Sequence, residues 1–115
     1  MELAAKLQIP AGTGLRVLNL PSGLVLGIPR GKDTSEGLLF FASNSSVLKK
    51  NGTPAIVSAR ADRLTWIAYP KAGQLGTDLN RDRLCEILKP EGIRPVRQVS
   101  LDETWSALRF RPQTG

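Results

Sequence analysis

The sequence predicts a single α/β domain: a small, open, mainly parallel sheet with an antiparallel C-terminal strand. Three observations carry this. Apolar runs of strand length alternate with stretches of helical period, and such alternation implies crossover connections and a mainly parallel sheet. Residues 38–42, Leu-Leu-Phe-Phe-Ala, show no polar alternation, the pattern of a central strand covered on both faces. The last two strands are separated by about five residues, 101–105; that is too short for a crossover, so the final strand must reverse. A chain of 115 residues suits one domain around one core.

Each element follows from local signals. Residues 1–13 read as an N-terminal lead-in with a short helix at 2–7 that ends before Pro10, and Gly12 and Gly14 mark a turn. Residues 14–20, Gly-Leu-Arg-Val-Leu-Asn-Leu, form the first strand, stopped by Pro21. Residues 24–26 are either a short strand or part of a loop, and the polar stretch 29–36 is a loop. After the 38–42 strand, Ser43-Asn44-Ser45-Ser46 is rich in helix N-caps. A helical segment over 45–60 follows, interrupted at Gly52 and restarted at Thr53-Pro54. Residues 64–69 form the next strand. Thr77 or Asp78 caps a helix that runs to about Leu88, with Leu79, Leu84, Ile87 and Leu88 as its apolar stripe. Pro90 and Gly92 end it. Residues 93–99 form a strand in which Pro95 signals a start or a bulge. Residues 106–111 alternate, with Leu108 and Phe110 inward and Arg109 and Arg111 outward, as a charge-guarded sheet edge would. The tail from Pro112 (112–115) frays.

Composition narrows the chemistry. The chain is 41% hydrophobic and 23% charged, and no run approaches the roughly 18 apolar residues of a membrane span. The N-terminus has no apolar signal core or cleavage site, so a cytoplasmic protein with no membrane partner is expected. There is no histidine, which removes Ser-His-Asp triads, Cys-His chemistry and His-containing metal sites. The acidic residues show no cluster suited to a metal, and none is expected. Cys85 is the single cysteine; beside Leu84 on a helix it reads as a small buried apolar residue. A net charge of +6 permits polyanion binding. The basic residues are scattered, however, with Lys49-Lys50 and the Arg109/Arg111 pair as the sharp groupings. None of the six aromatic residues interleaves with a basic run. Nucleic acid is therefore not the expected partner.

In open α/β sheets, ligands gather outside the carboxyl ends of the parallel strands. Here that rim collects Asn19, then Ser43 and Asn44, then Tyr69, Pro70 and Lys71, then Asp102, Glu103, Thr104 and Trp105. The stretch after the third rim group, with Gly73, Gly76 and a helix start at Thr77-Asp78, raises the question of an anion site. Against it, Thr77 and Asp78 can satisfy the free amides themselves, and Asp78 and Asp82 would repel an anion. No Walker pattern and no Gly-x-Gly-x-x-Gly follows any strand. The Asp102-Glu103-Thr104-Trp105-Ser106 stretch has two readings as well. It is a polar pocket with an apolar wall and a carboxylate of raised pKa, or a hairpin in which Asp102 and Thr104 bond to their own backbone while Trp105 seals the sheet end.

Three stretches carry a family resemblance: Trp66-Ile-Ala-Tyr-Pro-Lys71, Thr77-Asp-Leu-Asn-Arg-Asp-Arg-Leu84 and Leu101-Asp-Glu-Thr-Trp-Ser-Ala-Leu-Arg-Phe-Arg111. They resemble a family of small bacterial proteins of uncharacterised function. Members of that family show W-x-x-[WY]-P-K, T-D-L-x-R-D and D-E-T-W-S-x-L-R-F motifs. The resemblance covers residues 38–111, about two-thirds of the chain. It implies a reduced Rossmann-like fold, similar to the second half of a class I methyltransferase, and no established activity. Methyltransferases of that class hold S-adenosylmethionine through a glycine-rich loop after the first strand and an acid at the end of the second. Neither is recognisable here, so S-adenosylmethionine is a doubtful cofactor. The family motifs fall on the same rim at Tyr69, Pro70, Lys71, Thr77, Asp78, Asp102, Glu103, Trp105 and Ser106; with Asn19 from the end of the first strand, Tyr69, Lys71, Thr77, Asp78, Asp102, Glu103, Trp105 and Ser106 are the candidate ligand-binding residues.

The resulting order of readings is a non-catalytic module for a ligand or protein partner, then a small or degenerate methyltransferase-like enzyme acting at the rim, then a charge-driven nucleic-acid binder. Exposed sheet edges also allow homo-oligomerisation.

Overall fold

A computed structural model of the chain describes residues 3–31, 37–71 and 73–113. Among these residues five strands form one open sheet: β1 (Leu15–Leu18), β2 (Gly37–Phe41), β3 (Leu64–Pro70), β4 (Ile93–Ser100) and β5 (Trp105–Pro112), in the spatial order β1-β2-β3-β5-β4. The pairs β1·β2 and β2·β3 are parallel, and β5 is antiparallel to both β3 and β4. Only β5 is therefore reversed. It is not an edge strand: the alternating 106–111 segment, expected at the guarded edge, is clamped between β3 and β4. The short connection, residues 101–104, forces β5 to pair with β4, and the apolar face of β5 also completes the core beside β3, leaving β4 as the outer strand. Pro95 falls where a bulge shifts the β4·β5 register, between Pro95 and Arg97. A bulge tolerates the missing donor of proline and blunts the open edge.

Among the described residues four α-helices accompany the sheet: α1 (Leu3–Lys6), α2 (Ser45–Asn51), α3 (Thr53–Arg60) and α4 (Arg81–Leu88). The interruption expected at Gly52 divides α2 from α3. A side chain there would place its Cβ 2.4 Å from the Leu48 carbonyl oxygen, so the close turn between the helices requires glycine. The α4 cap differs from expectation. It is Asn80 rather than Thr77 or Asp78, because a 3₁₀ turn at Gln74–Gly76 takes up the preceding residues. Residues 24–26 form no strand. That segment instead leads to an isolated bridge between Leu15 and Arg30 that covers the start of β1. Parts of the expected loop at 29–36 and of the frayed tail at 112–115, together with Glu2 at the start of the expected first helix, lie outside the described residues.

The central strands β2 and β3 are buried on both faces. On one side α2, α3 and α4 pack Leu48, Ala55, Ala59, Leu84 and Leu88 over Phe40, Ile67, Tyr69, Leu108 and Phe110. On the other side the N-terminal segment and residues 24–28 pack over Leu39, Phe41, Trp66 and Ala107. The stretch expected as a lead-in thus contributes a core residue, Leu7, with no exposed surface. The Leu7 carbonyl oxygen accepts a 3.0 Å hydrogen bond from the buried Trp66 indole. Among the described residues no helix is long and apolar enough to cross a membrane. Leu7→Ala is expected to lower the unfolding free energy by about 2–4 kcal/mol, the usual cost of truncating a buried leucine. A urea titration of wild type and variant checks it: a change below half a kcal/mol (about 0.5) would place the segment outside the core.

Candidate functional site

The rim is built by strand alternation. Across three neighbouring strands, Tyr69 lies opposite Ser106 and Ser106 opposite Ser100. The three side chains therefore share the helix face of the sheet at its carboxyl end, and Gln98 joins them two residues earlier on β4. The Gln98 side-chain amide donates to the Tyr69 hydroxyl at 3.3 Å and to Ser106 Oγ at 3.2 Å. Ser106 Oγ donates to the Val99 carbonyl at 3.3 Å. Tyr69 and Ser106 are each 3% exposed. Burial pushes the Tyr69 phenol above its usual range, opposed by its hydrogen bond with Ser106 and by the charge of Arg81. The phenol stays protonated at neutral pH and serves as a hydrogen-bonding group, not a base.

Lys71 closes one end of this floor. Its ammonium donates to Ser100 Oγ at 2.8 Å and to the Asp102 carbonyl at 2.6 Å, and its backbone amide donates to the Thr104 carbonyl at 2.7 Å. Lys71 thus staples the end of β3 to the β4–β5 turn while leaving part of its charge at the rim. The start of α4 adds a further part of the lining. The Asn80 side chain accepts from the Arg83 amide at 2.8 Å, and Arg81 and Asp82 extend from the first turn. Together Tyr69, Lys71, Asn80, Arg81, Asp82, Gln98, Ser100 and Ser106 line an open cleft of about 510 Å³. It has two cationic groups, one carboxylate and a floor of hydroxyls and an amide. Such a lining suits a small polar ligand with an anionic group.

The glycine-containing loop between β3 and α4 is occupied by its own contacts. The Gln74 amide donates to the Lys71 carbonyl and the Thr77 amide to the Gln74 carbonyl, while Thr77 Oγ1 accepts from the Leu79 amide at 3.0 Å. Asp78 reaches across to α2. It accepts from the Ser45 amide at 2.8 Å and from the Ser45 hydroxyl. The carboxylate therefore satisfies the first turn of a neighbouring helix, where a negative charge is favoured, and these bonds hold its pKa below the usual range. The amides of Gln74, Thr77 and Leu79 are thus engaged within the chain and not free for a phosphate.

In the turn between β4 and β5, Asp102 Oδ1 accepts from the Thr104 amide at 2.8 Å and from the Trp105 amide at 2.7 Å. That matches the hairpin reading of this stretch. Glu103 is exposed and does not line the cleft. Trp105 is buried and meets Phe41 edge to face, with ring centroids 5.1 Å apart. These two rings, with Asn19, Pro21, Ser43, Val47, Asn51 and Leu75, line a second, more apolar hollow of about 350 Å³ at the ends of β1 and β2. Leu75 is 66% exposed there at a left-handed φ of 54°, an uncommon conformation for a leucine.

Of the residues singled out in the sequence, the cleft gathers Tyr69, Lys71 and Ser106. The hollow takes Asn19 and Trp105. Thr77, Asp78 and Asp102 hold loops and helix ends, and Glu103 stands apart. Asn80, Arg81, Gln98 and Ser100 are not among the residues the sequence points to, and Asp82 enters there only as a charge that would repel an anion. Asn80 was accessible as an N-cap just before the Arg81 helix, but the strand register that sets Gln98 and Ser100 beside Ser106 has no local signature. Cys85 is partly buried against the helix-side core, and burial pushes its thiol up. Among the described residues no three or more Cys, Asp or Glu side chains gather as a metal site. Comparison of the chain with protein-family models, with curated proteins and with solved structures found no match.

Two outcomes test this geometry. Asp102→Ala removes the oxygen that accepts both turn-closing bonds and is expected to cost about 1 kcal/mol, as loss of a helix cap does, whereas Asp102→Asn retains an acceptor oxygen and costs clearly less; equal urea midpoints for the two variants would contradict the assignment. The second is pH dependence. Asp62, paired with Arg111, and Asp78 both sit below the usual aspartate range in the folded chain. The unfolded chain, near pKa 3.9, takes up protons first on acidification. Their contribution is therefore complete above about pH 5 and is lost as pH falls through the folded values. The double variant Asp62→Asn, Asp78→Asn should show a flatter urea midpoint between about pH 5 and 2.5 than wild type.

Proposed function

We propose that this chain is a non-catalytic binding module derived from a Rossmann-like fold, and that the cleft between β3–β5 and the start of α4 takes a small ligand with an anionic group. The carrying observation is the cleft itself, which Arg81 and Lys71 line together with Tyr69, Gln98, Ser100 and Ser106. Arg81 is exposed and pairs with no carboxylate among the described residues, so its guanidinium is available to a carboxylate or phosphate. Parallel strands joined through helices, with the cleft at their carboxyl ends, support the Rossmann-like part. The non-catalytic part rests on the hydroxyls. Ser106 donates to a backbone carbonyl, and Ser100 donates to the Asp102 carbonyl and accepts from Lys71. Ser106 has no basic side chain as a partner among the described residues, and Ser100, although beside Lys71, accepts from that nitrogen and directs its own proton to the Asp102 carbonyl instead.

A methyltransferase-like reading is favoured by one different observation: the hollow at the ends of β1 and β2 has an aromatic and aliphatic wall suited to a flat ring. The two readings separate in one experiment. Purified protein is screened by thermal shift against phosphorylated metabolites, nucleotides, inorganic anions, S-adenosylmethionine and S-adenosylhomocysteine. A ligand at a hundredfold excess over Kd stabilises by about 2.7 kcal/mol. The expected result is a saturable shift from an anionic compound, with affinity lowered about tenfold or more in Arg81→Ala by loss of a charged hydrogen bond. A shift from S-adenosylmethionine that Arg81→Ala leaves intact and Asn51→Trp abolishes would favour the hollow instead. No shift from any compound removes the small-ligand reading.

A further inference from the structure

The β4–β5 hairpin sends its polar rim residues to the helix face and its arginines to the other. On that second face Arg94 lies directly opposite Arg111, and Arg97 directly opposite Arg109. Successive arginines on β5 are about 7 Å apart. Like charges directly opposite each other on neighbouring strands are destabilising, and this hairpin contains two such pairs side by side. Asp62 binds Arg111 through two 2.9 Å hydrogen bonds and is the one carboxylate paired with the group among the described residues. Arg109 donates to the uncharged Gln8 side chain at 2.7 Å, and its buried Nε has no hydrogen-bond partner among the described residues. Arg94 and Arg97 are exposed and have no hydrogen-bond or ion-pair partner among the described residues.

We infer that this arginine face of the β4–β5 hairpin is a docking surface for the phosphate backbone of nucleic acid, separate from the cleft on the opposite face. Guanidinium groups in a surplus of positive charge match phosphate oxygens by their fork of donors. The hairpin's one large exposed apolar side chain is Val96, at the bulge. The face therefore lacks the apolar centre on which a folded protein partner would seat. It also exposes no aromatic ring for a base to stack on, so contact is with phosphates and independent of sequence. In the sequence Arg109 and Arg111 form one grouping, and Arg94 and Arg97 stand apart from it. The register of the hairpin, not a basic run, assembles them.

The test is fluorescence anisotropy with a labelled mixed-sequence DNA duplex of about 20 base pairs, from about 50 to 200 mM salt. Wild type is expected to bind with a log–log salt slope of about −2 to −4, the release expected from two to four neutralised phosphates. Arg94→Ala, Arg97→Ala together should make the slope shallower by about two and weaken binding at about 50 mM salt roughly tenfold or more. The same double variant should keep or raise the urea midpoint, since it removes both like-charge pairs, so lost binding cannot be assigned to lost folding. The control is Lys49→Ala, Lys50→Ala, which removes the same charge from exposed positions on α2 and should weaken binding far less. Absence of wild-type binding at low salt overturns the proposal. So does an arginine variant that binds as wild type, or a lysine variant that loses as much, which would leave only net charge. Polyglutamate of equal charge binding as tightly as the duplex also overturns it, in favour of an acidic protein segment.

Discussion

The rest of the structure depends on the tight turn that folds β5 back between β3 and β4. Residues 101–104 reverse the chain, and Asp102 closes the reversal with two bonds to the amides that follow. Lys71 ties the same turn to the end of β3 by its ammonium and by its backbone amide. Because the turn is anchored to both neighbours, β5 enters the sheet beside β3 with Trp105 against Pro70 and Ser106 against Tyr69. Displacement of this strand by one residue would exchange its two faces. Leu108 and Phe110 would leave the helix-side core, and the rim would lose its floor.

Two functional proposals arise from the two faces of one hairpin. On the helix face, Gln98, Ser100 and Ser106 meet Tyr69 and the start of α4 to form a polar cleft. On the opposite face, Arg94, Arg97, Arg109 and Arg111 stand where the covering N-terminal segment ends, with Gln8 at the border. The charges differ in the same sense. The cleft balances two cations with Asp82, as a site for a small ligand can. The arginine face is offset by Asp62 alone among the described residues, a pattern more suited to an extended anion.

Several residues that look chemical in isolation are structural here. Asp78 bonds to the first residue of α2, Thr77 bonds within its own loop, and Asp102 closes a turn. In each case a short polar side chain satisfies backbone donors that would otherwise face water or a ligand. The loop between β3 and α4 consequently links the helix layer to the strand ends. The rim is held by side-chain-to-backbone bonds as much as by the apolar core.

Much of the fold was legible in the sequence, because it rests on local patterns. The unbroken apolar run of β2, the break at Gly52, the apolar stripe of α4 and the proline bulge of β4 each record a backbone or burial requirement within a few residues. The short connection after β4 also determined that β5 is reversed. The sequence likewise placed Tyr69, Lys71 and Ser106 near one rim, since strand ends follow from strand positions. It did not determine which strand becomes the edge, that Leu7 seals the far face through Trp66, or that four arginines of β4 and β5 become two opposed pairs. Those depend on register and on contacts between residues up to 101 positions apart, such as Gln8 and Arg109. Local propensity says which residues form a strand. Only packing of that strand against its neighbours decides what each side chain stands beside.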